Sequence, residues 1–292
     1  MKVLITGANG QVGFCLTKLL EKKEWDFLAL DKLQLDITNF QAVENIIQTF
    51  RPDIVINAAA YTAVDKAESD AENAYKINSG GVKNLAVATN KINAAIFHIS
   101  TDYVFSGEAR DPYSEEDDVA PQGIYGLSKL KGEREVVLEN PKHIVLRTAW
   151  VFGEHGNNFV KTMIRLGRDR EQMAIVADQL GGPTYAGDIA KALLEIASQY
   201  KKNKSISWGV YHYSGSPHTN WYEFASAIFN EVDHQKVYPG KSPELRAITT
   251  KEYPTPAKRP ANSRLNCEKI EKNFGIKSSD WKSALKNIKV YI

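Results

Sequence analysis

The sequence predicts an α/β fold in which a doubly wound parallel sheet is followed by a smaller C-terminal substrate-binding α/β domain. Short β-rich runs alternate with helical stretches through the first half of the chain, which implies parallel pairing and right-handed crossovers. A glycine-rich turn directly follows the first of these runs. After Trp150, Gly- and Pro-rich connections multiply and the strands become short. The sheet is therefore predicted to be Rossmann-like, with its ligand at the carboxyl ends of the strands.

The elements of the first half follow from periodicity and capping residues. Strands are predicted, in chain order, at Lys2–Thr6, Phe27–Leu30, Asp53–Asn57, Ala94–Ser100 and His143–Arg147. Helices are predicted at Gln11–Lys22, from a capping box at Thr38-Asn39-Phe40-Gln41 toward Phe50, over Ala71–Asn90 with a break around Ser79-Gly80-Gly81, and at Tyr125–Glu139. In the second half, helices are predicted near Asp188–Gln199 and Trp221–Asn230, and after Asp280.

Composition excludes several classes of function. The 292 residues carry a net charge of +2, which is too small to indicate binding to nucleic acid or to an anionic membrane. No apolar run approaches the roughly 18 residues that span a bilayer, and no signal-peptide core precedes Gly7. Cys15 and Cys267 offer no disulfide framework, and the six histidines are scattered without metal-ligand spacing. We therefore expect a cytoplasmic protein without a metal, nucleic-acid or membrane partner.

The first βα turn, Gly7-Ala8-Asn9-Gly10-Gln11-Val12-Gly13, has the spacing G-x-x-G-x-x-G. Glycines there permit a tight turn and let backbone N–H groups approach a pyrophosphate at a helix N-terminus. Asp31 ends the second strand, where a carboxylate can accept hydrogen bonds from the ribose hydroxyls of NAD. Lys32 would instead tolerate a 2′-phosphate, and Asp36 is placed for the amine of an adenine. The turn predicts a dinucleotide cofactor, NADPH or NADH.

Tyr125 and Lys129 lie four residues apart, on the same face of a predicted helix. A free phenol has a pKa of about 10, and a nearby ammonium lowers that pKa toward the range useful for proton transfer. Ser100 or Thr101, at the end of the fourth strand, would hydrogen-bond the substrate oxygen. Such a pair is weak by itself, but together with the glycine-rich turn it predicts nicotinamide-dependent reduction.

These features divide the chain into two predicted domains. Residues 1–150 form the dinucleotide-binding domain, and residues 151–292 form a mainly substrate-binding domain. Part of 151–200 is expected to return to the first domain.

The chain resembles the extended short-chain dehydrogenase/reductase family in its glycine turn and its Y-x-x-x-K motif. Longer motifs resemble, within it, the dTDP-4-dehydrorhamnose reductase family. They are NAAAYTAVDKAE (57–68), STDYVF (100–105), YGLSK (125–129), RTAWVF (147–152), GNNFVKTM (156–163), DQLGGPT (178–184) and YPTPAKRPANSRL (253–265).

The resemblance implies reduction of the 4-keto group of dTDP-4-dehydro-beta-L-rhamnose to dTDP-beta-L-rhamnose, the last step of dTDP-rhamnose synthesis. It implies that Tyr125 donates the proton, that Lys129 is its electrostatic partner, and that Thr101 rather than Ser100 contacts the carbonyl. Implied cofactor contacts are Gly7, Gly10, Gln11, Val12, Gly13, Asp31, Asp36, Ile37, Ala60, Tyr61, Thr62, Tyr125 and Lys129. Implied contacts to the nucleotide-sugar substrate are Thr101, Asp102 and Trp150.

Some members of the family are magnesium-linked dimers that use a glutamate just after the third glycine. Cys15 stands at that position, which argues against such a dimer, although a homodimer remains a candidate assembly. Two other functions stay open at this point. One is a non-catalytic NAD(P)-binding subunit similar to the regulatory β-subunit of methionine adenosyltransferase, and the other is a nucleotide-sugar epimerase or dehydratase on the same fold.

Two tryptophans and two arginines are further candidates for contact with a ligand. Trp221 and Trp281 are predicted to be core anchors rather than ligand contacts. Arg259 and Arg264 suit a nucleotide-sugar diphosphate, although solvated surface charge accounts for them nearly as well.

Overall fold

The computed structural model describes all 292 residues and contains fourteen β-strands and eleven α-helices. The strands are β1 (Lys2–Thr6), β2 (Asp26–Leu30), β3 (Ile54–Asn57), β4 (Ala95–Thr101), β5 (His143–Thr148), β6 (Val151–Phe152), β7 (Gln172–Val176), β8 (Leu180–Gly181), β9 (Thr184–Tyr185), β10 (Gly209–His212), β11 (Gly215–Ser216), β12 (Thr219–Asn220), β13 (Glu244–Ile248) and β14 (Ser279–Asp280). The helices are α1 (Gln11–Leu20), α2 (Phe40–Phe50), α3 (Val64–Ala67), α4 (Ala71–Tyr75), α5 (Val82–Lys91), α6 (Ile124–Glu139), α7 (Phe159–Gly167), α8 (Ala186–Asn203), α9 (Trp221–His234), α10 (Glu268–Phe274) and α11 (Trp281–Leu285). None of these helices has the length and apolar character needed to cross a membrane.

Six parallel strands form the central sheet in the order β10-β5-β4-β3-β1-β2. The chain moves from β1 outward to β2, then returns to the other side of β1 and continues through β3, β4 and β5. The direction of winding therefore reverses between β1 and β3. This confirms the predicted doubly wound sheet, whose ligand crevice lies outside the carboxyl ends of the strands at this reversal.

Helices cover both faces of the sheet, so the strands carry nearly continuous apolar runs. On one face α1, α8 and α10 pack over residues such as Ile5 and Phe97. On the other face α2, α5 and α6 pack over residues such as Leu4 and Val145. A separate apolar core lies beneath α7, α9 and α11, around Phe224 and Trp281. The second core belongs to the smaller lobe that follows β5.

The sixth strand of the central sheet comes from the second half of the chain. β10 pairs in parallel with β5, and α8, which precedes it, packs on the same core as α1. The sequence predicts a return to the first domain only within 151–200, whereas the returning strand lies at Gly209–His212. The physical reason is that β10 covers the open edge that β5 would otherwise expose. The division into two functional domains stays a prediction.

The predicted capping box at Thr38 is wrong. The helix begins at Phe40, and Asn39 caps it by accepting a hydrogen bond from the backbone N–H of Ala42 at 3.1 Å. The hydroxyl of Thr38 donates instead to Asp36 Oδ1 at 2.9 Å. The Thr38 side chain is therefore used in a turn around Asp36, and the helix starts one residue later than the capping box predicts.

The break predicted around Ser79-Gly80-Gly81 is also wrong. A π-helical stretch, Lys76–Gly81, joins α4 to α5 without interruption. A Cβ on Gly81 would lie 2.6 Å from the side chain of Ile37, so this glycine allows close packing rather than a turn. The stretch also carries Asn78, whose side-chain Nδ2 donates to Ser128 Oγ of α6 at 3.0 Å. The π-helix thus helps to position the helix that carries Tyr125.

Candidate active site

The glycine-rich turn joins β1 to an open helix N-terminus. Gly7 has a φ of +71°, a left-handed conformation that favours glycine. A Cβ on Gly13 would lie 2.2 Å from the carbonyl oxygen of Gly7, so the turn can close only with glycine at that position. Gly10 precedes α1 in an extended conformation, and no side chain caps the helix. The first N–H groups of α1 are therefore available to an anion.

A cleft of about 770 Å³ brings most of the predicted site residues together. Of the residues predicted for cofactor, substrate or catalysis, its walls include Gly7, Gly10, Gln11, Val12, Asp31, Asp36, Ile37, Ala60, Thr62, Thr101, Asp102, Tyr125, Lys129 and Trp150. Gly13 and Tyr61 are not part of its walls. Gly13 packs inside the turn, and the hydroxyl of Tyr61 donates to Asp70 Oδ2 at 3.0 Å.

Asp31 lies where β2 ends at the cleft. Its Oδ1 accepts hydrogen bonds from the backbone N–H groups of Leu33 at 2.9 Å and Gln34 at 3.1 Å. Its Oδ2 accepts one from Asn9 Nδ2 at 2.7 Å, which ties the carboxylate to the glycine-rich turn. The Asp31 carboxylate is therefore held in place at the cleft wall, with Lys32 beside it.

Lys129 is buried near the start of α6 and reaches toward β4. Its side chain is almost wholly enclosed, and Nζ donates a hydrogen bond to the carbonyl oxygen of Ile99 at 2.7 Å. Burial lowers the pKa of Lys129 to about 8, and the nearby carboxylate of Glu133 opposes that shift. The ammonium form is therefore less strongly favoured here than in water.

Tyr125 lies one helical turn before Lys129 and lines the same cleft. Burial raises the pKa of Tyr125 above its ordinary value, and a hydrogen bond with Thr101 opposes this effect. The sequence predicts the opposite direction, with Lys129 lowering the pKa, because the sequence does not show how deeply the phenol is buried. The phenol keeps its proton at neutral pH, which is the state required of a proton donor.

The two hydroxyls at the end of β4 have different partners because successive strand residues point to opposite faces. Ser100 Oγ donates to Glu133 Oε1 at 2.5 Å, inside the protein. Thr101 lies beside Tyr125 and donates to Asp102 Oδ1 at 3.0 Å. This arrangement supports Thr101, rather than Ser100, as the hydroxyl that meets the substrate.

Asp102 is buried at the cleft wall, where burial raises its pKa to about 6. Its second carboxylate oxygen, Oδ2, is enclosed without a hydrogen-bond partner in the chain. The Asp102 carboxylate lines the cleft, so a small rotation of its side chain would let Oδ2 accept a hydrogen bond from a ligand hydroxyl.

A second cavity of about 550 Å³ adjoins the cleft, sharing Tyr103 and Trp150 with it. Trp150 has a φ of +48° and stacks on Trp221, with ring centroids 3.6 Å apart. Trp221 packs against the core of the smaller lobe, as predicted, and its ring also lines this cavity. Trp281 is buried in the core of the smaller lobe, as predicted. Two stacked indoles thus form one wall beside the cleft.

Of the two predicted arginines, Arg259 lines the second cavity and Arg264 does not. Arg259 Nη1 donates to the hydroxyl of Tyr103 at 3.0 Å, and Nη2 donates to Asp65 Oδ2 at 2.5 Å. Arg264 instead binds Asn262 and a backbone carbonyl. Tyr103 and Asp65 were missed as site residues. They lie inside the quoted motifs, but only folding brings Arg259 to them across the length of the chain.

Comparisons with known proteins identify the family. The family described as RmlD substrate binding domain matches residues 1–290. The chain is 52% identical over 291 residues to a dTDP-4-dehydrorhamnose reductase from Aggregatibacter actinomycetemcomitans, covering 99% of both chains. It is also similar to the solved structure of a dTDP-4-dehydrorhamnose reductase from Clostridium acetobutylicum, with 43% identity, a TM-score of 0.91 and coverage of 99% and 98%. A third relative is the Bacillus anthracis reductase solved in complex with NADP, with 38% identity, a TM-score of 0.91 and coverage of 100% and 99%. The chain therefore belongs to the dTDP-4-dehydrorhamnose reductase family.

Proposed function

We propose that this protein reduces the 4-keto group of dTDP-4-dehydro-beta-L-rhamnose to give dTDP-beta-L-rhamnose, with NADPH or NADH as the hydride source. One observation carries the proposal: Thr101, Tyr125 and Lys129 meet in the cleft between the open N-terminus of α1 and the second cavity. The names of its relatives support the same reaction, and the Bacillus anthracis relative binds NADP. The protein is thus an NAD(P)H-dependent oxidoreductase that completes dTDP-rhamnose synthesis.

The residues of the cleft fit a nicotinamide dinucleotide. The uncapped start of α1 at Gly10 suits a pyrophosphate. Asp31 suits the adenosine ribose, and the buried side chains of Leu35 and Ile37 suit the adenine. Lys129, at the other end, suits the nicotinamide ribose. When bound, the reduced nicotinamide supplies the hydride that reduces the ketone carbon.

The second cavity fits the nucleotide diphosphate part of the substrate. The Trp150 and Trp221 rings offer flat apolar faces, which suit a nucleobase. The guanidinium of Arg259 suits a diphosphate because it presents several donors in a fixed plane. Tyr103 belongs to both cavities, so a ligand that fills both would place its sugar beside Tyr125, whose ring lies 5.5 Å from that of Tyr103.

Within this arrangement, Tyr125 transfers its hydroxyl proton to the C4 oxygen while the C4 carbon accepts the hydride. The hydroxyl of Thr101 turns its hydrogen from Asp102 Oδ1 to the same oxygen, which stabilises the charge that develops there. Asp102 accepts a hydrogen bond from a neighbouring sugar hydroxyl and so orients the ring. Lys129 stabilises the phenolate that remains until Tyr125 regains a proton from solvent.

The reaction is tested by incubating the purified protein with the keto-sugar and either NADPH or NADH. We expect the absorbance of the reduced nicotinamide to fall, with one molecule of dTDP-rhamnose formed for each nicotinamide oxidised. Product formation without net cofactor oxidation would indicate an epimerase or dehydratase. Absence of any reaction, together with a stoichiometric partner that co-purifies, would indicate a regulatory subunit instead.

Asp31→Asn is expected to raise the preference for NADPH over NADH about tenfold, measured as the ratio of the two kcat/KM values. The reason is that the Asp31 carboxylate repels the 2′-phosphate of NADPH, and a repulsion of this size is ordinary for charges a few ångströms apart at a protein surface. Asparagine keeps an acceptor for the N–H groups of Leu33 and Gln34. Asp26→Asn, at the opposite end of β2, is the matched control and should leave the ratio unchanged. An unchanged ratio in Asp31→Asn would contradict the predicted contact.

We further propose that the enzyme acts in the cytoplasm and that any homodimer lacks a magnesium bridge at Cys15. Magnesium prefers oxygen ligands, and burial raises the pKa of the Cys15 thiol to about 12, with Glu154 adding to that shift. Light scattering with and without a chelator tests the assembly, because a mass that fell with the chelator would contradict this proposal.

A further inference from the structure

A row of buried polar side chains crosses the sheet behind Lys129, and the mechanism above does not use it. The residues are Thr6 of β1, Asn57 of β3 and His98 of β4, which are register neighbours and have no exposed surface. Thr6 Oγ1 donates to Asn57 Oδ1 at 2.7 Å, and Asn57 Nδ2 lies 2.9 Å from His98 Nδ1. His98 Nε2 then lies 3.3 Å from Lys129 Nζ. The row therefore ends on the lysine of the active site.

The direction of these hydrogen bonds is determined at Ala59. Its backbone N–H can only donate, and it donates to Asn57 Oδ1 at 3.1 Å. The amide of Asn57 is therefore oriented with its oxygen toward Ala59 and its Nδ2 toward His98. Because Nδ2 can only donate, His98 Nδ1 must accept, and a neutral ring then carries its hydrogen on Nε2. Burial, reinforced by the nearby Lys129, holds the pKa of His98 well below its usual value, so the ring is neutral.

The Nε2–H group of His98 consequently points at Lys129 Nζ. An ammonium group has only donors, so the protonated lysine would face another N–H group at this position. A neutral amine has a lone pair that can accept the Nε2–H hydrogen, while one of its own hydrogens remains on the carbonyl oxygen of Ile99. The contact with His98 thus favours the neutral form of Lys129.

We propose that His98 is a positioning residue that acts through Lys129: held in one tautomer by Asn57, it stabilises the neutral amine and so sets the pH above which Lys129 loses the charge that stabilises the Tyr125 phenolate. This inference rests on the proposed function, because it assigns His98 a role in the same proton transfer. The proposed role differs from a purely structural one, because a histidine that only fills the core would not affect the charge of Lys129.

The other charged and titratable groups around Lys129 do not replace this contact. On α6 itself, Tyr125 and Glu133 lie one turn to either side. Glu133 is bound by Arg147 of β5 at 2.7 Å and by Ser100 of β4, so its charge is largely compensated. Asp102, Tyr103 and the hydroxyl of Thr101 face Tyr125 rather than Nζ. Besides the carbonyl of Ile99, His98 is the hydrogen-bond partner of Nζ in the structure. The lowered pKa of Lys129, for which burial is the largest cause, agrees with this proposal in direction.

The first test is the pH dependence of kcat in His98→Phe, a replacement that keeps a ring and removes the Nε2–H group. We expect the inflection near pH 8, where Lys129 titrates, to move upward by about 0.7 pH unit, the net effect of one hydrogen bond between neutral groups. His143→Phe is the matched control, since His143 is also a buried strand histidine but bonds the carbonyl oxygen of Asn140. Its profile should not move. A uniform loss of kcat in His98→Phe without a shift of the inflection would overturn the proposal.

The second test uses the unsubstituted protein with its cofactor, so it does not depend on the folding of a variant. The ¹⁵N chemical shifts of its histidines should show His98 with Nδ1 unprotonated and Nε2 protonated throughout the neutral pH range. An imidazolium ring, or hydrogen on Nδ1, would overturn the proposal. Failure of the unsubstituted protein to reduce the keto-sugar would instead overturn the proposed function, and the tautomer of His98 would still be decided.

Discussion

Tyr125→Phe is expected to lower kcat for the keto-sugar about a thousandfold, within the range that positioned proton donors contribute. The substitution removes the hydroxyl that transfers the proton and keeps the ring, which meets Tyr103 edge-on at a centroid distance of 5.5 Å. Lys129 and the start of α1 are unchanged, so the dissociation constant for NADPH should stay nearly the same. Stopped-flow measurement of a single turnover, with cofactor titration by fluorescence, separates the two quantities.

The matched control is Tyr200→Phe. Tyr200 belongs to α8, lies away from the cleft and packs edge-on against Trp208. Removal of the Tyr200 hydroxyl should therefore leave kcat unchanged. Full activity in Tyr125→Phe would contradict the role assigned to the tyrosine. A large loss of cofactor affinity without loss of kcat would show that the phenol binds rather than reacts.

Glu133→Ala is expected to lower the free energy of unfolding by about 3–5 kcal/mol, the cost of breaking a buried ion pair. The side chains of Glu133 and Arg147 are only 4% and 6% exposed. Arg147 Nε lies 3.0 Å from Oε1 and Nη2 lies 2.7 Å from Oε2, so the two groups meet as a fork. Removal of the carboxylate leaves the Arg147 charge buried without a partner. Urea denaturation of the protein without cofactor measures the change.

Two comparisons make this prediction specific. The double variant Glu133→Leu, Arg147→Met removes both charges and should recover most of the lost stability. Glu21→Ala breaks the exposed pair with Lys18, whose side chains are 55% and 46% exposed, and should cost less than about 1 kcal/mol. Equal losses in Glu133→Ala and Glu21→Ala would contradict the prediction.

The buried ion pair also matters for the site, because it joins α6 and β4, which carry the proposed catalytic residues, to β5. Glu133 belongs to α6 with Tyr125 and Lys129, Arg147 belongs to β5, and Ser100 precedes Thr101 in β4. These elements pack together through one buried hydrogen-bond network, which holds Tyr125 and Thr101 at a fixed distance and orientation. The hydroxyl of Ser100, the residue before Thr101, is therefore used within this buried network.

Much of the fold and part of the site could be predicted from the sequence. Local residue spacing predicts the strands of the central sheet, the glycine-rich turn and the helix with Tyr125 and Lys129. These features depend only on residues that are close together in the sequence. The predicted strand Lys2–Thr6 agrees with the structure residue for residue, and most others differ only at their ends. The family and its reaction could be predicted as well, since they depend on motifs that are continuous in the chain.

Other features were decided only by the tertiary structure. The contact of His98 with Lys129, the stack of Trp150 on Trp221 and the binding of Arg259 to Tyr103 join residues that are distant in sequence. Strand register and loop packing determine which of these side chains come into contact, and local sequence patterns do not predict those contacts. The charge states of Tyr125 and Lys129 depend in the same way on burial by several elements. The sequence by itself thus determined which groups can exchange a proton and a hydride, whereas the tertiary structure decided how each is oriented and how readily it holds its charge, because desolvation and hydrogen-bond direction arise only when the elements pack together.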